Sequence, residues 1–331
     1  MQRRQFVTTS ALASAAAGWH LQSSAQEKDA QPNDRVTVAV AGVRGRGGGL
    51  LSTFVGLPDV DVKYVCDVDE GVRNARAAGT KQSNGKSPAA IKDFREALDN
   101  DAVDALVLGT PDHWHAIPTI MACQAGKDVY VEKPDGHNIL EGETMVAAAK
   151  KYRRVVQLGT QARSSPQIAA AVEYVGSGKI GRVRFAKAWE SARQSSIGHI
   201  ADGKTPASVD YDMWLGPAPL RKFNPRRFHG RWRWFFDYGT GDLGNDGVHR
   251  LDTARRAMGA GVEAEGKSLP DLPVAVSAHG GKHYFDDDQE WPDNLMATFD
   301  YGDYLLTYEM RLWSPYRMLD ETEGAAVLGD D

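Results

Sequence analysis

The chain has 331 residues, 42% hydrophobic and 25% charged, with 34 glycines, which fits a soluble globular protein of two ordinary domains and argues against disorder. Its formal charge is −5, and it becomes −7 once residues 1–25, which hold Arg3 and Arg4 but no acid, are set aside. A chain this acidic is a poor partner for a phosphate backbone, so no nucleic acid is expected.

The amino terminus reads Arg3-Arg4-Gln5-Phe6, then an alanine-rich apolar stretch to Trp19, then Ser23-Ser24-Ala25. This is the pattern of a twin-arginine signal peptide over 1–25, and it places the mature protein in the periplasm or otherwise outside the cytoplasm. The apolar run is short and carries Thr8, Thr9, Ser10 and Ser14, whereas a membrane span needs roughly 20 apolar residues. No membrane attachment is therefore expected of the mature form. Residues 26–35 are polar, contain Pro32, and read as a linker.

From Val36 the chain alternates β-branched runs at 36–41, 60–66, 105–108, 129–132 and 155–158 with helical patterns. That rhythm predicts a parallel sheet with crossover helices, and apolar runs of this kind suit strands covered on both faces. Both cysteines fall inside it, Cys66 in a strand and Cys123 in a helix, and are expected as core thiols rather than a disulfide. After Thr160 a helix at 166–175 is followed by strand-like runs at 183–189, 274–278, 294–299 and 304–309 without regular helices between the later ones. These predict an α+β domain over 161–331 with a mostly antiparallel sheet. The irregular stretch 191–242 is expected to lie over one end of it.

The first run enters Gly42-Val43-Arg44-Gly45-Arg46-Gly47-Gly48-Gly49. A glycine-rich turn leaving the first strand lets a pyrophosphate approach the backbone and the amino end of the next helix. Asp67 closes the second strand 25 residues after Gly42, near the spacing of a carboxylate that holds a ribose 2′-hydroxyl. Together they predict a Rossmann doubly wound sheet over 36–160 that binds NAD. Arg44, Arg46 and Arg73 keep NADP open, since an arginine folded over the ribose neutralises a 2′-phosphate.

Two further segments are Thr110-Pro111-Asp112-His113-Trp114-His115-Ala116 and Glu132-Lys133-Pro134. With the glycine turn, Gly159-Thr160-Gln161, Trp214-Leu215-Gly216-Pro217 and Gly244-Asn245-Asp246-Gly247-Val248-His249-Arg250-Leu251-Asp252, they resemble the Gfo/Idh/MocA family of glucose-fructose oxidoreductase and inositol dehydrogenase. The resemblance runs over most of 36–310. It implies hydride transfer between NAD(P) and a secondary alcohol of a sugar, cyclitol or sugar acid. It also implies cofactor contacts at Thr110, Pro111, His115, Glu132 and Lys133, and a substrate site with Lys133, His249, Asn245, Asp246 and His115. Lys133 sits at the carboxyl end of a parallel strand, where ligands collect, and His249 has the imidazole for taking a hydroxyl proton. The two are expected to converge on one substrate hydroxyl. Asn245 and Asp252, four before and three after His249, are expected on its helical face.

Three features depart from the family. Asn245 stands where relatives often carry aspartate, the chain stops where relatives usually continue, so the C-terminus reads as truncated, and many exported relatives lack an assigned substrate. An NAD-dependent glycoside hydrolase, an exception to two-carboxylate hydrolysis, and a non-catalytic sugar-binding protein on the same fold are therefore alternatives. The basic and aromatic segment 226–238, with Trp234 at its centre, is expected either as a wall over a carbohydrate or as a core-packing loop. His113 and His115 flank Trp114 after a strand end, which places them near the nicotinamide, and no metal is expected there because no acid or cysteine is in register. A homo-oligomer fits the family.

Overall fold

The computed structural model describes residues 35–82, 85–314 and 316–331, so the expected signal segment and all but the last residue of the linker lie outside the described residues. The chain divides into two compact units. The first holds the described residues to Gly159 together with Ala201–Arg233 and Asp237–Gly239, and the second holds Thr160–Ile200, Trp234–Phe236 and Thr240–Asp331.

In the first unit the elements run β1 (Val36–Ala41), α1 (Gly45–Val55), β2 (Val60–Cys66), α2 (Glu70–Gly79), β3 (Ala89–Ile91), α3 (Arg95–Leu98), β4 (Ala105–Leu108), α4 (Ala116–Gln124), β5 (Asp128–Glu132), α5 (Ile139–Tyr152) and β6 (Val156–Gly159). The six strands are parallel in the order β3-β2-β1-β4-β5-β6, with crossover helices as the alternating pattern requires. Side-chain alternation along β1 feeds two cores. Val38 and Val40 pack with Leu50, Leu51 and Phe54, whereas Ala39 and Ala41 face the other way toward Leu106, Leu108, Val129 and Val131. Burial on both faces is why these strands read as continuous apolar runs. Cys66 and Cys123 are both free and buried in this sheet and its helix layer. β3 gave no sequence signal because Ala-Ala-Ile is too short to show a period.

Residues 201–233, expected in the second unit, belong to the first. They close on the first, where Val209 bridges Asp69, the Glu70 N–H donates to Ser208 O at 2.9 Å and the Asp210 N–H donates to Val68 O at 3.1 Å. The segment carries a short α-helix, Tyr211–Leu215.

The second unit begins with α6 (Pro166–Gly176), which starts on a Ser165 cap with proline at its first position. Then come β7 (Phe185–Glu190), the first unit's α7 (Tyr211–Leu215), α8 (Val248–Ala264), β8 (Ala275–Gly281), β9 (Asn294–Asp300), β10 (Leu305–Arg311) and β11 (Glu323–Leu328). The sheet order is β11-β7-β10-β9-β8, antiparallel except between β7 and β10. The 17-residue α8 buries Ala254, Ala257, Met258, Gly261 and Val262. A side chain on Gly261 would strike Val183, so glycine sets how closely α8 approaches the chain entering β7. Residues 323–328, for which the sequence raised no strand expectation, form the edge strand beside β7.

Candidate functional site

In the first unit the site begins with backbone against backbone. Gly42 has φ +73°, a Cβ on Gly47 would stand 1.7 Å from Gly42 O, and one on Gly109 would stand 2.5 Å from Gly47 Cα. No side chain fits at any of the three, so the β1 turn, the start of α1 and the end of β4 pack as bare chain. Over Gly45, by contrast, a Cβ would meet nothing within 4 Å. α1 has no side-chain cap and no acid in its first turn, which leaves its amino end open to an anion. These features fit a dinucleotide pyrophosphate.

Asp67 completes the cradle at the end of β2. Its Oδ2 accepts the Val43 N–H at 3.1 Å and its Oδ1 the Asp69 N–H at 3.0 Å. Burial pushes its carboxyl up while those two N–H groups pull it down. A carboxylate has about four lone-pair sites, so two remain for ribose hydroxyls. The three arginines that left NADP open separate. Arg44 is exposed, Arg73 donates to Asp67 O at 3.3 Å, and Arg46 turns away to Glu132, its Nε 2.7 Å from Oε1. Arg46 is thus tied to the β5 end rather than folded over the ribose.

Glu132 ends β5, is 4% exposed, and its Oε2 is buried with no hydrogen-bond donor among the described residues. An acceptor left open at the carboxyl end of a parallel strand fits a bound hydroxyl or amide. Half-buried Lys133 follows it. The segment after β4 supports this end instead of entering it. Both ring nitrogens of His115 face carbonyl oxygens, Thr110 O at 2.9 Å and Pro134 O at 2.5 Å, so the ring ties the Thr110-Pro111 loop to the Glu132-Lys133-Pro134 element. His115, 1% exposed, has no edge left for a substrate, contrary to expectation. His113 is likewise buried, 3% exposed. Its ring lies between Tyr238 O at 3.2 Å and Trp214 O at 3.0 Å, and burial holds it down to about 4.

At four aromatic positions the segment 226–238 takes its packing reading, whereas Phe236 is 50% exposed. Phe228, Trp234, Phe235 and Tyr238 are all buried, and Trp234 is 2% exposed. Trp234 therefore presents no open face to a sugar.

In the second unit the histidine motif starts with a π-turn, Leu243–Gly247, that runs into α8. A Cβ on Gly247 would come within 2.4 Å of Tyr308 Oη, and one on Gly244 within 1.9 Å of Thr240 Oγ1, so the motif's glycines are packing requirements. The wider turn shifts Asn245 off the α-helical register assumed for it. Its amide donates to Asp246 Oδ2 at 2.9 Å and lies 3.5 Å from Asp242 Oδ1. His249 is buried at the start of α8. Asp252 does not orient it, because its carboxylate is clamped by Arg163 at 2.8 and 2.6 Å.

Sequence reasoning missed the acidic group in this unit. Glu190, Asp242 and Tyr308 are each at most 1% exposed. Glu190 is pushed up to about 8 by burial and by Glu323, while Arg250 holds Glu323 down against its own burial. The one available signal was a glutamate ending the apolar run 183–189.

A parallel sheet in this strand order, with a bare glycine turn at β1 and a carboxylate at the end of β2, defines a dinucleotide-binding α/β protein carrying a second, mainly antiparallel domain. The model of an oxidoreductase family's NAD-binding Rossmann fold matches residues 36–160, and that of the same family's C-terminal alpha/beta domain matches 186–288. The chain belongs to the Gfo/Idh/MocA oxidoreductase family. It is 31% identical over 160 residues to a glycosyl hydrolase family 109 protein of Saccharopolyspora erythraea, a match covering 47% of this chain and 35% of that protein. The chain thus spans about a third of the length of the curated relatives it matches. Among solved structures it is similar to GenD2 from gentamicin A biosynthesis in complex with NAD (20% identity, TM-score 0.66, 92% of this chain and 73% of that one). It is also similar to a levoglucosan dehydrogenase in complex with NADH and levoglucosan (19% identity, TM-score 0.63, 89% and 71%).

Proposed function

We propose that the protein is an NAD-dependent oxidoreductase that moves a hydride between the cofactor and a secondary alcohol of a sugar, cyclitol or sugar acid. The observation that carries this reading is the grouping, at the carboxyl ends of β1, β2 and β5, of the glycine cradle, Asp67 and the open Glu132 acceptor followed directly by Lys133. Bound NAD would supply the hydride acceptor. The chain's own work is to hold the adenosine ribose on Asp67, the pyrophosphate on α1, and the hydroxyl that loses its proton. We assign that proton's handling to Lys133, as a donor to the developing carbonyl oxygen, and to His249, as the base. Asn245 and Asp246 are assigned to substrate hydroxyls, and Thr110 and Pro111 to the cofactor-side loop. Twin-arginine export, from Arg3 and Arg4, is part of the same proposal.

The test is a panel of sugars and cyclitols given to the full-length protein with NAD, read at the absorbance of the reduced cofactor. A lasting rise with one substrate class is expected, with Lys133→Ala and His249→Ala each lowering turnover about 10²- to 10⁴-fold and leaving NAD affinity within about twofold. The glycoside hydrolase reading is favoured by the family 109 relatives. It expects sugar release with no lasting absorbance change. Full turnover in both variants would overturn the assignment of the two residues.

A further inference from the structure

Within the first unit the segment 201–233 meets residues 113–114 through Trp214 and, at a second place, the corner that follows Asp67. Besides the Asp69–Val209 bridge and the two backbone hydrogen bonds to residues 68 and 70, Asp210 pairs with Lys92 at 2.8 Å and His229 Nε2 lies 2.7 Å from Asp69 Oδ2. Asp69 in turn donates its N–H to Asp67. The segment also has its own structure. Tyr211, Phe223 and Phe228 pack edge to face, and Asp202 accepts from Asn224 at 3.1 Å and Arg227 at 2.9 Å. It is therefore a folded piece latched onto the edge of the nucleotide site.

We propose that residues 205–230 are a strap over the adenosine end of the NAD site, with His229, latched on Asp69, serving as a specificity residue that takes a free ribose hydroxyl and rejects a 2′-phosphate.

A ring nitrogen 2.7 Å from a carboxylate must carry the proton, so Nε2 donates and Nδ1 of a neutral ring accepts. Burial and the neighbouring Arg44 hold the ring below its usual value, against the pull of Asp69, and so favour the neutral form. Asp67 offers lone pairs only. The carboxylates of Asp67 and Asp69 and the ring of His229 thus accept hydrogen bonds at this corner, with Arg44 and Arg73 as the neighbouring cations. A ribose diol has protons to give these acceptors, whereas a phosphate has none to give and must approach the two carboxylates. Bound NAD also adds contacts across the latch, so the latch and the cofactor stabilise each other.

The experiment titrates NAD and NADP into the full-length protein by fluorescence and follows tryptic cleavage after Lys222 and Arg226 with and without NAD. His229→Ala is expected to weaken NAD about tenfold, the upper end for one neutral hydrogen bond, and to speed its release. His229→Gln, which keeps an N–H for Asp69 and an acceptor beside it, is expected to recover most of the loss, a recovery that a purely packing role for the ring does not give. NAD is expected to slow cleavage at both sites in the native protein. Undiminished NAD affinity in His229→Ala, or cleavage unaffected by NAD, overturns the strap. The cleavage result decides the matter alone should His229→Ala not fold. Failure of the native protein to bind NAD sinks the strap and the oxidoreductase reading together, whereas the other negative results leave that reading intact.

Discussion

Arg46 and Glu132 are 86 residues apart in sequence and meet at 2.7 Å, joining the glycine turn after β1 to the end of β5. Arg46 is half exposed and Glu132 almost fully buried, which decides what their separation costs. Screening by water makes the Coulomb part small. The larger loss is that of a buried carboxylate deprived of its donor, about 1 to 3 kcal/mol. Water reaching the gap keeps the effect near the lower end, so Arg46→Ala is expected to cost about 1 kcal/mol. Urea unfolding should show a lower midpoint with unchanged slope, and an unchanged midpoint would mean that the pair contributes nothing. The sequence named both residues but not the pair. A glycine-turn arginine reads locally as a phosphate or ribose contact, and nothing in its neighbourhood points across β4 to Glu132. His115 was misread for the same reason, since its two carbonyl partners depend on where the next strand ends.

At the scale of elements, β7 and β11 pair so that Glu190 stands directly opposite Glu323. Like charges in that position repel, and the groups around Glu190 decide which one gives way. Arg250 from α8 pairs with Glu323 and reaches Glu190 only at 4.0 Å, while Glu190 faces Glu323 from β11, Asp242 from the chain before the π-turn, and the Tyr308 phenol from β10. Glu190 therefore holds its proton up to about pH 8 in the folded state. An unfolded glutamate loses its proton near pH 4.3. Between these values the native state binds more protons than the unfolded state, so stability falls as pH rises through that window and is level below it. Amide exchange in β7 and β11 should be slowest near pH 5, after correction for intrinsic rates, and should quicken toward pH 8. Glu190→Gln, which resembles the protonated carboxyl, should flatten that dependence. A slope equal to the parent's would remove Glu190 as its source. Long apolar strands such as β1 and β2 were legible to the residue because burial on both faces writes itself into sequence. β11 was not, since its apolar run Ala-Ala-Val-Leu is short, half alanine and without alternation, and the π-turn was hidden by glycines that suit any close contact.

At the scale of the molecule, the chain leaves the first unit at Gly159 and re-enters it at Ala201. No local signal marks that return, because the irregular segment has no period and its partners at residues 68–70 lie about 140 positions upstream. The cradle and the segment latched beside it are parts of one unit, and a ligand that binds the folded unit alone must stabilise both. With NAD at 100 times its dissociation constant, mass action adds about 2.7 kcal/mol, which slows exchange about 100-fold for amides that open only when the unit unfolds. Core amides of β1 and β4 should show that full factor. The helix Tyr211–Leu215 holds buried Trp214 and Leu215 and bonds through Trp214 O to the Trp114 indole at 2.9 Å, so its amides should slow in step with β1. Hydrogen exchange with and without NAD reads both at once. Protection of β1 without protection of residues 211–215 would show that the segment opens independently of the fold it rests on, and the unit would then end at Gly159.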